Sequence, residues 1–93
     1  MDKKRLQIER NKIDKLDKKI FNLITKRTRI VKHMMGLKKF KNQIVDRRRI
    51  NEILKNIKRK SIKQHIDHKL TIRIWKSIIW SYIDFQNRNF KKK

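Results

Sequence analysis

Residues 4–41 read KRLQIERNKIDKLDKKIFNLITKRTRIVKHMMGLKKFK, a stretch of about 38 residues with no proline. Apolar side chains recur in it at Leu6, Ile13, Leu16, Ile20, Leu23, Ile24, Ile30, Val31, Met34 and Leu37. Spacings of three, four and seven bring these residues back to one face of a helix that turns about 100° per residue. The acids Glu9, Asp14 and Asp17 stand toward the start, and Lys and Arg crowd the end. The helix dipole favours that polarity. The pattern predicts one helix from about residue 4 to 41, a rod of roughly 57 Å at 1.5 Å per residue. Gly36 lies inside it, costs roughly 1 kcal/mol against Ala, and is the expected point of fraying.

The length of this helix sets the architecture. A compact domain of 93 residues has a radius of gyration of about 12 Å. Two shorter helices cannot cover a rod several times that long, so its apolar stripe calls for another chain. The simplest closed solution is a two-fold homodimer with the long helices side by side. The alternative is a helix bent at Gly36 in a monomeric three-helix bundle.

Outward from this stretch, Lys41-Asn42-Gln43 reads as a connection. A second helix is expected over about 46–59, with Asp46 as its N-cap and a stripe at Ile50, Ile53, Leu54 and Ile57. The basic, weakly periodic stretch from Arg59 to His65 reads as a loop or frayed turn. Asp67 then caps a third helix over about 68–89, whose stripe is Trp75, Ile78, Ile79, Tyr82, Ile83 and Gln86. Phe90 to Lys93 are expected to fray. The whole, residues 1–93, reads as a single all-α domain of three helices.

Composition excludes several classes. With no Cys there are no disulfides, thiolate metal sites or cysteine nucleophiles. With no Pro and one Gly, an architecture of tight β-turns is not expected. No apolar run is long enough to span a membrane. Met1-Asp2-Lys3-Lys4-Arg5 leads into no apolar signal core, so a cytoplasmic location is expected. His65 and His68 stand three apart with nothing to complete a metal-ligand set, so no metal is expected.

Lys and Arg number 30 against 8 Asp and Glu, a formal net charge of +22. The chain has no Ala, and Lys, Ile and Asn abound, a bias toward residues with AT-rich codons. Gene base composition alone is therefore a sufficient source of surface lysine. The positive field still attracts anions, small carboxylates and nucleic acid alike. A basic nucleic-acid-binding helical protein is accordingly one candidate class, with binding through non-specific charge.

Three polar residues interrupt the apolar stripes. Arg27 falls seven after Ile20 and seven before Met34. Lys38 follows eleven residues later, about 20° round a continuous helix and roughly 16 Å along it. Gln86 lies on the inner stripe of the third helix, four after Tyr82. Cations in an apolar seam are costly unless paired, and this chain has few acids. A pocket holding cations and an amide suits an anionic ligand; the bland alternative is that Arg27 pairs with an acid such as Asp46 and Lys38 snorkels to water. Arg10 precedes Arg27 by seventeen residues and points about 100° away. It would serve such a pocket only from a second, antiparallel copy.

These residues carry a resemblance. Arg10-x-x-Ile13-Asp14-x-Leu16-Asp17-x-x-Ile20, then Arg27-x-x-x-Val31 and Lys38, resembles the opening helix of the all-helical chorismate mutases. Ile44-Val45-Asp46-Arg47-Arg48-Arg49 is similar to their entry into the second helix, and Trp75-x-x-Ile78-Ile79-x-x-Tyr82-x-x-x-Gln86 to their third. The resemblance covers about residues 5 to 88. It implies an intertwined helical homodimer that rearranges chorismate to prephenate on the way to Phe and Tyr, with no cofactor. It further implies that Arg27 and the partner's Arg10 bind the substrate carboxylates. Lys38 and Gln86 would meet the ether oxygen, and Asp46 and Arg49 would shape the site. Two positions depart from the pattern. Ile50 stands where many mutases carry Glu, and Tyr82 where they often carry Ser. Both departures resemble the isochorismate pyruvate-lyases of the same fold, which form salicylate, and these are the alternative reading. The mutase is favoured, because cells that make Phe and Tyr need one.

Overall fold

A computed structural model describes residues 2–90. Its elements are α1 (Lys3–Leu37), a short 3₁₀ turn (Lys41–Gln43), α2 (Arg47–Lys63) and α3 (His68–Asn89), with no strand among the described residues. They divide into two compact units, residues 1–33 and 34–93.

The first unit is the body of α1. Asp2 opens it, its carboxylate accepting from the backbone N–H of Lys4 at 3.0 Å and of Arg5 at 3.2 Å. Two N–H groups left over by the first turn are thereby satisfied. The apolar stripe of this unit lies open: Ile13, Leu16, Ile20 and Leu23 are each between 55% and 62% exposed.

The second unit is built on α2 and α3, which pack against each other. Ile44, Ile79 and Ile83 form its buried core, with Ile50, Ile53, Leu54 and Phe90 packed around them. The stripes expected on both helices are the faces that turn inward. Asp46 caps α2 by accepting from Arg49 N–H at 3.0 Å, and Asp67 caps α3 by accepting from Lys69 N–H at 2.9 Å.

Three expectations need correction. First, α1 stops at Leu37 rather than near 41. The side-chain oxygen of Gln43 accepts from the N–H groups of Lys39 (2.8 Å) and Phe40 (2.9 Å). A continuing helix would have given those donors to the carbonyls of Met35 and Gly36, so the side chain competes with the helix and ends it. Helical structure passes through Gly36 itself.

Second, α2 runs to Lys63 instead of ending near 59, so the supposed loop is mostly helix. The stop comes at His65, in left-handed conformation with φ 57°. Ile66 N–H bonds Ser61 C=O at 2.9 Å and His65 N–H bonds Ile62 C=O at 3.2 Å. This is the Schellman closure, normally built on glycine. It draws Ser61 into the interior, where its hydroxyl donates to Ile57 C=O at 2.7 Å and lies 2.6 Å from the hydroxyl of Thr71 on α3. Either hydroxyl can be the donor between the two, since Thr71 has a carbonyl of its own to donate to, His68 C=O at 3.4 Å.

Third, Phe90 does not fray: it is the extended C-cap of α3 and packs on the core. Lys91, Lys92 and Lys93 lie outside the described residues.

Candidate functional site

The segment between α1 and α2 brings the chemistry together. Lys38 is the first residue past α1, and its N–H bonds Met35 C=O at 3.2 Å in a tightened last turn. Its ammonium group donates to Gln86 Oε1 on α3 at 3.1 Å. Gln86 is only 7% exposed, and Lys38 is half-buried. The face-sharing argument for Arg27 and Lys38 assumed a helix through residue 41 and does not apply, because Lys38 is presented from a non-helical segment. Lys39 beside it stays exposed and uses its backbone N–H on Gln43.

The Lys38–Gln86 bond fixes more than a distance. An ammonium group can only donate, so it selects the oxygen of the Gln86 amide. The amide NH₂ of Gln86 and the remaining N–H groups of Lys38 are then all donors. Side by side, they form a place suited to an oxygen that carries or gains negative charge.

Lys38 also lines a cleft of about 720 Å³ with Gln43, Val45, Asp46 and Arg47. That volume is in the range of small-molecule sites. Two cations face one carboxylate there, and Asp46 Oδ1 is already engaged by the N–H of Arg49. The balance suits a small anion. Sequence reasoning did not pick out Arg47 and Gln43 as site residues. Arg47 was hidden in a run of three arginines that reads as a solvated face. Gln43 was hidden in a polar connection.

The other expected residues are placed as follows. Arg49 is exposed on the first turn of α2 and lies 3.9 Å from Glu52, which also pairs with Arg48 at 3.5 Å. Ile50 packs on the Ile44–Ile79–Ile83 core. Tyr82 stands one turn before Gln86, half-buried, with its ring edge-on to Phe85 at 6.3 Å. Arg10 and Arg27 belong to the first unit; Arg10 is exposed and Arg27 half-buried.

Compared with protein families, residues 9–87 match chorismate mutase type II. The chain belongs to the chorismate mutase type II family. The match spans most of the chain, from Arg10 to Gln86, and so takes in every residue assigned to the site from sequence. Comparison with curated proteins and with solved structures finds no match. As a chorismate mutase the chain is an isomerase. The pyruvate-lyase and nucleic-acid readings gain no support from this match. No helix among the described residues is long and apolar enough to cross a membrane.

Proposed function

We propose that this chorismate mutase acts as a cytoplasmic homodimer in Phe and Tyr biosynthesis, with Lys38 and Gln86 as its catalytic donors. The observation that carries the reading is the 3.1 Å bond from Lys38 Nζ to Gln86 Oε1, which joins a cation and an amide donor in the second unit. In the rearrangement the ether C–O bond breaks as a C–C bond forms between the enolpyruvyl side chain and the ring. No proton is transferred, and no cofactor is required. Negative charge grows on the ether oxygen only as that bond breaks. Preorganised donors there stabilise the transition state more than the ground state.

Arg27 and Arg10 of the partner subunit hold the two carboxylates, where bidentate pairing fixes the folded substrate conformer. Asp46 and Arg49 shape the site from the start of α2. Tyr82 and Ile50 flank it, and residues 1–93 act as one catalytic domain. The open apolar stripe of α1 supports a second copy as the missing cover.

The test is to assay the purified protein on chorismate and isochorismate separately. Prephenate from chorismate as the main product is the expected result. Release of pyruvate and salicylate from isochorismate, with negligible prephenate formation, would overturn it.

A further inference from the structure

We infer that Gln43 is a positioning residue for catalysis: by holding the backbone of Lys39 and Phe40 it aims Lys38 at Gln86. The inference rests on the proposed role of Lys38.

Three observations meet at this point. The Gln43 side-chain oxygen accepts two consecutive backbone N–H groups, from Lys39 at 2.8 Å and Phe40 at 2.9 Å. These two residues directly follow Lys38, so the bonds fix the backbone where the catalytic side chain leaves α1. The turn that carries Gln43 is closed by its own bonds, Gln43 N–H to Phe40 C=O at 3.1 Å and Ile44 N–H to Lys41 C=O at 3.2 Å. Ile44 is 5% exposed and belongs to the same core as Ile79 and Ile83 on α3. A continuous chain of contacts therefore runs from α3 through Ile44 and Gln43 to Lys38, and returns to α3 at Gln86.

The physical need is clear. Lysine has a long flexible stem, whose rotamer freedom must be given up for its ammonium group to stay in one place. A donor must be held within about 0.5 Å of its productive position to act in the transition state. At Lys38 the helix can no longer supply that order, because it has ended. The carboxamide of Gln43 supplies it instead. Glutamate at this position keeps the acceptor oxygens; alanine and methionine do not.

The experiment compares wild type, Gln43→Ala, Gln43→Met, Gln43→Glu, Lys38→Ala and the double variant Gln43→Ala/Lys38→Ala with chorismate. Folding is checked by circular dichroism. We expect Gln43→Ala and Gln43→Met to lower kcat about ten-fold, with KM changed less than about three-fold. Gln43→Glu keeps the acceptor but adds a carboxylate to the cleft, so it should recover part of the kcat lost in Gln43→Met while raising KM for the dianionic substrate. The double variant should be no slower than Lys38→Ala alone, because Gln43 acts through Lys38. Methionine preserves the length of the side chain, so it reads the lost acceptor if the alanine variant folds poorly. Wild-type kcat in both acceptor-free variants would overturn the inference. So would a Gln43→Ala loss that multiplies fully onto the Lys38→Ala loss. A wild type that leaves chorismate unchanged would instead overturn the proposed function beneath it.

Discussion

Lys38 and Gln86 are separated by 48 positions in the chain and by 3.1 Å in the structure. The sequence made both visible for the same reason: each is polar where the stripe demands an apolar side chain. It also distinguished Lys38 from Lys39, but through a helical register that does not extend that far. The distinction now rests on contact. Lys38 bonds Gln86, while Lys39 projects into solvent with only its backbone engaged. Replacing Lys38 with Ala should lower kcat for chorismate by about 10²–10³ with a much smaller change in KM, as loss of a single preorganised donor does. Lys39→Ala should stay within about three-fold of wild type, and steady-state kinetics on the two variants decides between them. Equal losses would mean that the bond to Gln86 is not the functional one. Ile50 was legible as part of the inward stripe of α2, and it packs there. It lies against the Ile44–Ile79–Ile83 core, and what spacing could not tell is whether it also walls the site.

At the scale of elements, α3 was legible to the residue and the ends of α1 and α2 were not. α3 begins after a capping Asp67 and keeps its period to Asn89. The other two ends are set by tertiary and side-chain geometry: Gly36 lies inside the last turn of α1 without breaking it, and no Pro or Gly follows α2. α1 is ended by a side chain, Gln43, that takes its donors. α2 is ended by His65 in a conformation that glycine adopts freely. A side chain in left-handed geometry costs roughly 1–2 kcal/mol, part of which glycine returns as greater freedom in the unfolded chain. His65→Gly should therefore raise the unfolding free energy by about 0.5–1 kcal/mol, read by chemical denaturation at fixed protein concentration. Unchanged or lower stability would mean that the imidazole makes a compensating contact. The same hidden boundary concealed the burial of Ser61 against Thr71, because a residue read as loop carries no expectation of burial.

The whole molecule is dominated by its charge and by the open stripe of α1. A net charge of +22 favours encounter with a dianionic substrate whatever its origin in codon usage. The stripe raises a stricter demand. Fully burying a Leu or Ile side chain contributes about 1.5–3 kcal/mol, so several such residues along one helix are a strong drive to association. The proposed dimer satisfies that drive and also brings Arg10 of the partner subunit to a site whose Lys38 it does not share. Complementation between inactive chains tests this account most directly. Arg10→Ala and Lys38→Ala should each abolish most chorismate turnover when alone. Refolding them together in equal amounts gives mixed dimers in which one site carries both changes and the other carries neither. Activity should then return to about one quarter of the wild-type level, the share of intact sites in a random two-fold assembly. A mixture no more active than the average of its two components would contradict a site shared between chains.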